Sequence, residues 1–320
     1  IILVVIGHYQ PVGTPPWYMQ FVNIIYCFHM PLFMYVSGYI YMNFRKPIAY
    51  KDFISKKFRR LMIPYFLVSI LIIGLKLLAG KAMYVQNPVT LSSLLEIFYS
   101  PAAGYFLWFI YVLFLIFLII PFFNSPRKIG YLLLFSLILV LIPFKITGIF
   151  CLEQFKNHLF FFVLGCFVCR QSSLSEKIKS IPAWVIAAGF IVLYVAASLP
   201  AVSGNMIPAK VLSLGMAVSG IAFVMQISRL IDTGSVSLRK FFIRMAAFSF
   251  TVYLFHTTFQ GLAKSILVKL SIADLPGVDI SFAASILIVN ATGIICPILL
   301  YFLTSYFNVT VRRKTDKAEI

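Results

Sequence analysis

The chain has 320 residues, of which 61% are hydrophobic and only 11% charged, with a net charge of +18. A water-soluble domain carries about 25% charged residues, so there is too little polar surface here to cover a soluble globule. The composition excludes that class and predicts an all-α polytopic membrane protein, a single integral-membrane domain over residues 1–320.

A bilayer core is crossed by about 20 apolar residues wound as a helix. The apolar runs are continuous rather than alternating, which points to helices and not to a β-barrel. In chain order about ten transmembrane helices are predicted: one ending over Ile1–His8, then 21–43, 61–80, 105–123, 129–147, 157–169, 183–201, 207–228, 246–268 and 282–307. The opening run IILVVIGH is short and begins without Met. The N-terminal helix is therefore expected to be truncated, and no signal peptide is predicted.

The loops divide by charge. Twenty of the 27 basic residues fall in one alternating set: Arg45 to Arg60, Arg127 and Lys128, Arg170 to Lys179, Arg229 to Arg244, and Arg312 to Lys317. The other set holds six, at Lys81, Lys145, Lys156, Lys210, Lys264 and Lys269, while Lys76 lies within a span. Basic residues favour the cytoplasmic side, so the alternation predicts both termini in the cytoplasm. The net charge is read as topological, with membrane lipids as its partners and no nucleic acid.

Polar residues at membrane depth are few. The four histidines are His8 at the end of the first span, His29 in the second, His158 at the mouth of the sixth and His256 in the ninth. For His158, near the interface, the expectation is a structural bond to a serine or carbonyl on a neighbouring helix. For His8, His29 and His256 the expectation is functional. Ionisable groups at depth usually face a cavity or a partner, and imidazole exchanges a proton near neutral pH, as a general base must. All nine acidic residues fall in loops or at span edges, which argues against a carboxylate proton relay of the transporter kind. The five cysteines give no disulfide framework, and Cys166 and Cys169 read as small apolar fillers. No metal is predicted, because the histidines lack ligand spacing.

Two stretches hold further signals. In FHMPLFMYVSGY, residues 28–39, Pro31 is expected to break the helix locally, while Ser37 and Gly38 let another helix come close. The loop KDFISKKFRR runs straight into LMIPYF. Its Lys56, Lys57, Arg59 and Arg60 read plainly as topogenic charge with anionic-lipid contact, and functionally as a phosphate site.

Taken in order, these motifs resemble the membrane acyltransferase family 3. VVIGH is similar to its first-span histidine motif, FHMPLFMYVSGY to its second-span signature and KKFRRLMIPY to its basic entrance motif. FLWFIYVLF, FFFVLGCFVCR and SFTVYLFH resemble its "LWFL", "FxxG" and "S-x-x-x-Y-L-x-H" segments. The form FHMPLF looks closest to the fucose-4-O-acetylase-like and polysaccharide O-acyltransferase branch. The family's arginine before the first-span histidine would precede Ile1.

The resemblance implies a bacterial inner-membrane O-acyltransferase. It would move an acyl group, acetyl above all, from cytoplasmic acetyl-CoA or a related acyl-CoA to a hydroxyl of a cell-surface or lipid-linked glycan, with a polysaccharide-synthesis complex as a further partner. Lys56, Lys57, Arg59 and Arg60 would meet the nucleotide phosphates. His8 would act as base or as an acylated nucleophile, with His29 and His256 orienting it or polarising the thioester. Ser37, Tyr39 and Tyr253 are candidate hydroxyl donors. The alternatives are an exporter or flippase of a glycan or small solute, and an inactive sensor or scaffold.

Overall fold

A computed structural model describes residues 1–11, 13–80, 87–146, 148–199, 205–270 and 279–318, without the side chains of 172, 175, 179, 279–281 and 306–318. Lys81, Asp274 and Glu319 lie outside the described residues, as do the side chains of Lys179, Asp279 and the basic cluster from Arg312 to Lys317.

Among the described residues the chain is all α, with no strand. The helices are α1 (Ile2–His8), α2 (Pro16–Asn43), α3 (Tyr50–Lys57), α4 (Ile63–Ala79), α5 (Ser93–Glu96), α6 (Trp108–Ile119), α7 (Pro126–Leu141), α8 (Leu152–Arg170), α9 (Ser172–Ser180), α10 (Ala183–Ser198), α11 (Met206–Thr233), α12 (Val236–Lys269) and α13 (Asp279–Ala318). A π turn, Phe58–Met62, joins α3 to α4, and 3₁₀ turns flank α6. Among the described residues five helical segments are long and apolar enough to cross a bilayer: 16–43, 50–79, 105–122, 206–233 and 282–305. The protein is a membrane protein.

The rod from α3 to α4 shows why. Leu67, Ile70, Leu71, Leu75 and Leu78 are exposed, while Tyr65, Val68, Ser69, Ile72 and Ile73 are buried. The two sets alternate every three to four residues, giving one face packed on protein and one apolar face that only lipid can cover. Lys76, the basic residue inside this span, donates from Nζ to the Ala103 carbonyl at 2.9 Å.

Contacts group the chain into two compact units. One comprises residues 1–25, 78–88 and 235–320, the other 26–77 and 89–234. In the first, α12 and α13 pack along each other and α1 packs on both. Its core includes Tyr9, Ala263, Leu267 and Val289. In the second, α10 packs on α11, α7 on α8, and α6 on α8 and on the π turn.

In the second unit two glycines set the closest approach. A Cβ on Gly38 would overlap the Phe162 carbonyl oxygen, and one on Gly165 would overlap the Tyr35 carbonyl oxygen. The backbones of α2 and α8 therefore touch, and Cys166 donates from Sγ to the Gly38 carbonyl at 3.3 Å. This is the close approach expected of Gly38, with Gly165 supplying the other half.

Three sequence expectations change. Helix α2 runs unbroken through Pro31. Proline removes one backbone bond, and a helix of 28 residues packed against its neighbours survives that loss. Helix α7 stops at Leu141 rather than continuing to 147, with Ile142 extended at φ −66°, ψ 124°. Ile142 precedes Pro143, and the proline ring disfavours helical geometry in the residue before it. Helix α8 begins at Leu152, after Phe150 and Cys151 at φ 56° and 54°. Two successive left-handed residues cannot sit inside an α-helix, so the helix starts just after them, five residues before the expected start at 157.

Lys156, assigned to a loop, is fully buried on α8. Its ammonium contacts the Phe144 carbonyl and ring and lies 3.4 Å from Glu153 Oε1. A buried cation needs such partners.

Candidate active site

Helix α1 is a short helix whose last carbonyls have no helical partner of their own. The Tyr9 N–H turns to the Ile6 carbonyl at 3.3 Å, tightening the end and leaving the Val5 carbonyl without the bond Tyr9 would give it in a regular helix. Side chains take over. Gln260 Nε2 donates to the Val5 carbonyl at 2.8 Å, the Tyr18 hydroxyl to Ile6 at 2.9 Å, and Gln10 Nε2 to Gly7 at 2.9 Å. Three successive carbonyls are thus held, and His8 is the next residue.

The His8 side chain is exposed. Its ring lies 5.0 Å, centroid to centroid, from that of His256, tilted by 56°. His256 is completely buried on α12. Its Nδ1 lies 3.0 Å from the Val252 carbonyl and 2.8 Å from the Tyr253 carbonyl. Carbonyl oxygens only accept, so Nδ1 carries the proton and Nε2 holds the lone pair. One imidazole is thus locked in orientation and tautomer behind another that is accessible. An accessible imidazole is a group able to exchange a proton with a bound molecule.

Tyr253 is buried, its ring 6.3 Å from His256. His29, in the second unit, is buried on α2 and stacks on Tyr26 at 4.9 Å and 27°. Ser37 and Tyr39 on the same helix are half-buried. His158 is bonded within its own helix rather than to a neighbouring one. Its Nδ1 donates to the Gln154 carbonyl at 2.8 Å, and its ring packs 4.6 Å from Trp108.

The basic group sits across the π turn. Pro64 would clash with the Arg60 carbonyl in a regular α-helix. The wider turn, closed by the Ile63 N–H on the Phe58 carbonyl, relieves the crowding, and such turns recur at functional sites. Lys56, Arg59 and Arg60 are exposed. Lys57 differs: its ammonium lies 3.8 Å from the Phe117 ring centroid and 5.4 Å from that of Phe53. It is engaged with aromatic faces, whereas the other three point outward.

Sequence reading did not single out Gln260, Asn290 or Tyr18. Gln260 had a legible signal, since it falls one helical turn after His256 in an apolar segment, where an amide is unusual.

Comparison with protein families matches residues 1–302 to the model described as an acyltransferase domain, acyltransferase family 3. Curated proteins and solved structures give no match.

Proposed function

Because the chain belongs to the membrane acyltransferase family 3, we propose that this acyltransferase moves an acyl group, acetyl first of all, from acyl-CoA to a hydroxyl of a cell-surface or lipid-linked glycan. The observation that carries the reading is the exposed His8 imidazole backed by the buried, orientationally fixed His256.

In this reading His8 takes the proton from the acceptor hydroxyl as its oxygen attacks the thioester carbonyl. The tetrahedral intermediate collapses, the C–S bond breaks, and the leaving thiolate takes the proton back from His8. An acyl group carried on His8 itself is the competing route. His29 serves as a further orienting or polarising group. Lys56, Arg59 and Arg60 meet the donor's phosphates, with Lys57 fixed on its aromatic bed beside them. By the charge rule the basic turn faces the cytoplasm of a bacterial inner membrane, where acyl-CoA is made. A pantetheine arm of about 15–20 Å covers much of a core about 30 Å thick, so the acceptor arrives from the opposite side. The glycan acceptor and a place in a polysaccharide-synthesis complex follow from the resemblance of the motifs.

The test uses the purified protein in lipid vesicles with labelled acetyl-CoA and a lipid-linked glycan fraction. Thiol release and label transfer that depend on the acceptor are expected, and His8→Ala at equal protein level should abolish both. Transfer by His8→Ala at the parental rate would remove the site assignment.

A further inference from the structure

The end of α1 is built around a second polar group that lies outside the histidine pair. Gln260 is 5% exposed and Asn290 6%. Gln260 Nε2 donates both to the Val5 carbonyl at 2.8 Å and to Asn290 Oδ1 at 2.9 Å. The carbonyl can only accept, so the orientation of the Gln260 amide is set, and that in turn sets which atom Asn290 presents. Gly293, one turn below Asn290 on α13, leaves the space: a Cβ there would lie 2.7 Å from Gln260 Cγ and 3.0 Å from Val5 Cγ1. Three helices thus meet at one amide. α12 supplies Gln260, α13 supplies Asn290 and the gap at Gly293, and α1 supplies the carbonyl three residues before His8.

We propose that Gln260 is a positioning residue. By bonding the Val5 carbonyl it pins the last turn of α1 to α12 and so holds the His8 imidazole against His256. The same helix carries both contacts, since His256 and Gln260 are one turn apart on α12. A shift of the α1 end would therefore move one histidine relative to the other. The role in catalysis rests on the reading of His8 as the base. The pinning itself does not.

The experiment compares the full-length protein in lipid vesicles with its Gln260→Met variant, which keeps the length of the side chain and loses its donors. Diethyl pyrocarbonate modification of His8, read by mass spectrometry across pH, reports the ring's surroundings directly. Thiol release from acetyl-CoA reports turnover. In Gln260→Met the midpoint of His8 modification is expected to move by about half a pH unit or more. Turnover should fall on the order of 10- to 100-fold, with KM for acetyl-CoA within about twofold, because the donor's phosphates bind elsewhere. Should Gln260→Met fail to fold, Gly293→Ala displaces the unaltered Gln260 and is judged by the same criteria. A folded variant whose His8 midpoint stays at the parental value overturns the proposal, as does a moved midpoint with unchanged turnover. A moved midpoint in a protein whose parent releases no thiol upholds the pinning and instead removes the acyl-transfer reading.

Discussion

An imidazole that donates to its own helix has one nitrogen left for chemistry. His256 and His158 both donate from Nδ1 to a carbonyl of the preceding turn, yet the two rings have different neighbours. The His256 ring meets His8, whereas that of His158 meets Trp108 and Phe161. Replacement should separate them. His256→Ala is expected to lower acyl transfer by about 10²- to 10⁴-fold, the usual loss when proton transfer is disrupted. His158→Gln should keep most of the transfer rate and lower thermal stability instead. Equal losses of transfer in the two variants, measured on vesicles with matched protein content, would mean that the His8–His256 pair holds no special place. The residue types and their place in apolar runs were legible in the sequence, because an ionisable group in an apolar run is conspicuous. The sequence did not show the tautomer, which depends on local backbone geometry, or Gln260, whose importance depends on a carbonyl 255 positions away. Pro31 misled for a related reason. Its local rule predicts a break, while the continuity of α2 is decided by everything packed along 28 residues.

At the scale of elements, the contact of α2 with α8 is fixed by what is missing from two side chains. Backbone atoms rather than flexible side chains stand where the Cβ atoms of Gly38 and Gly165 would go, so neither helix can yield without separating. Gly165→Ala is expected to destabilise the protein by about 1–3 kcal/mol, the range for overpacked sites. Gly189→Ala on α10, with nothing within 4 Å of its added carbon, should be neutral or stabilising by up to about 1 kcal/mol, since alanine favours the helix. Thermal unfolding in detergent decides this, and equal midpoints for the two variants would refute the packing account. Gly38 was readable from its place in a small-residue pair. The π turn was not: Pro64 marks a conflict in the helix, but several backbone adjustments resolve such a conflict. The early stop of α7 was readable in Ile142-Pro143, and hydropathy alone overran it, because apolar residues in an extended turn score like apolar residues in a helix.

For the whole molecule the decisive quantity is the parity of membrane crossings, since losing one span inverts every later loop. Helix lengths leave that open. α7, α8 and α10 are short or carry charge, and among the described residues five segments are long and apolar enough to cross a bilayer. The distribution of basic residues is the stronger argument, because lysines and arginines resist translocation wherever they lie within about 15–20 residues of a span. By that rule each strongly basic loop is expected to share a side with the others, and each weakly basic loop to lie opposite. Lys51, Arg127 and Lys240 are exposed residues of the first kind, and Lys145 and Lys269 of the second. Single cysteines at these five positions, in a protein whose own five cysteines are replaced by serine or alanine, allow the pattern to be read with a membrane-impermeant maleimide on sealed cells. K145C and K269C are expected to label from outside. K51C, R127C and K240C should label only after the membrane is opened. A change of side between two neighbouring strongly basic loops would show that a span has been miscounted between them. If K51C is the position that labels from outside, the exposed Lys56, Arg59 and Arg60 of the same segment share that compartment, and the proposed binding of cytoplasmic acyl-CoA there is overturned.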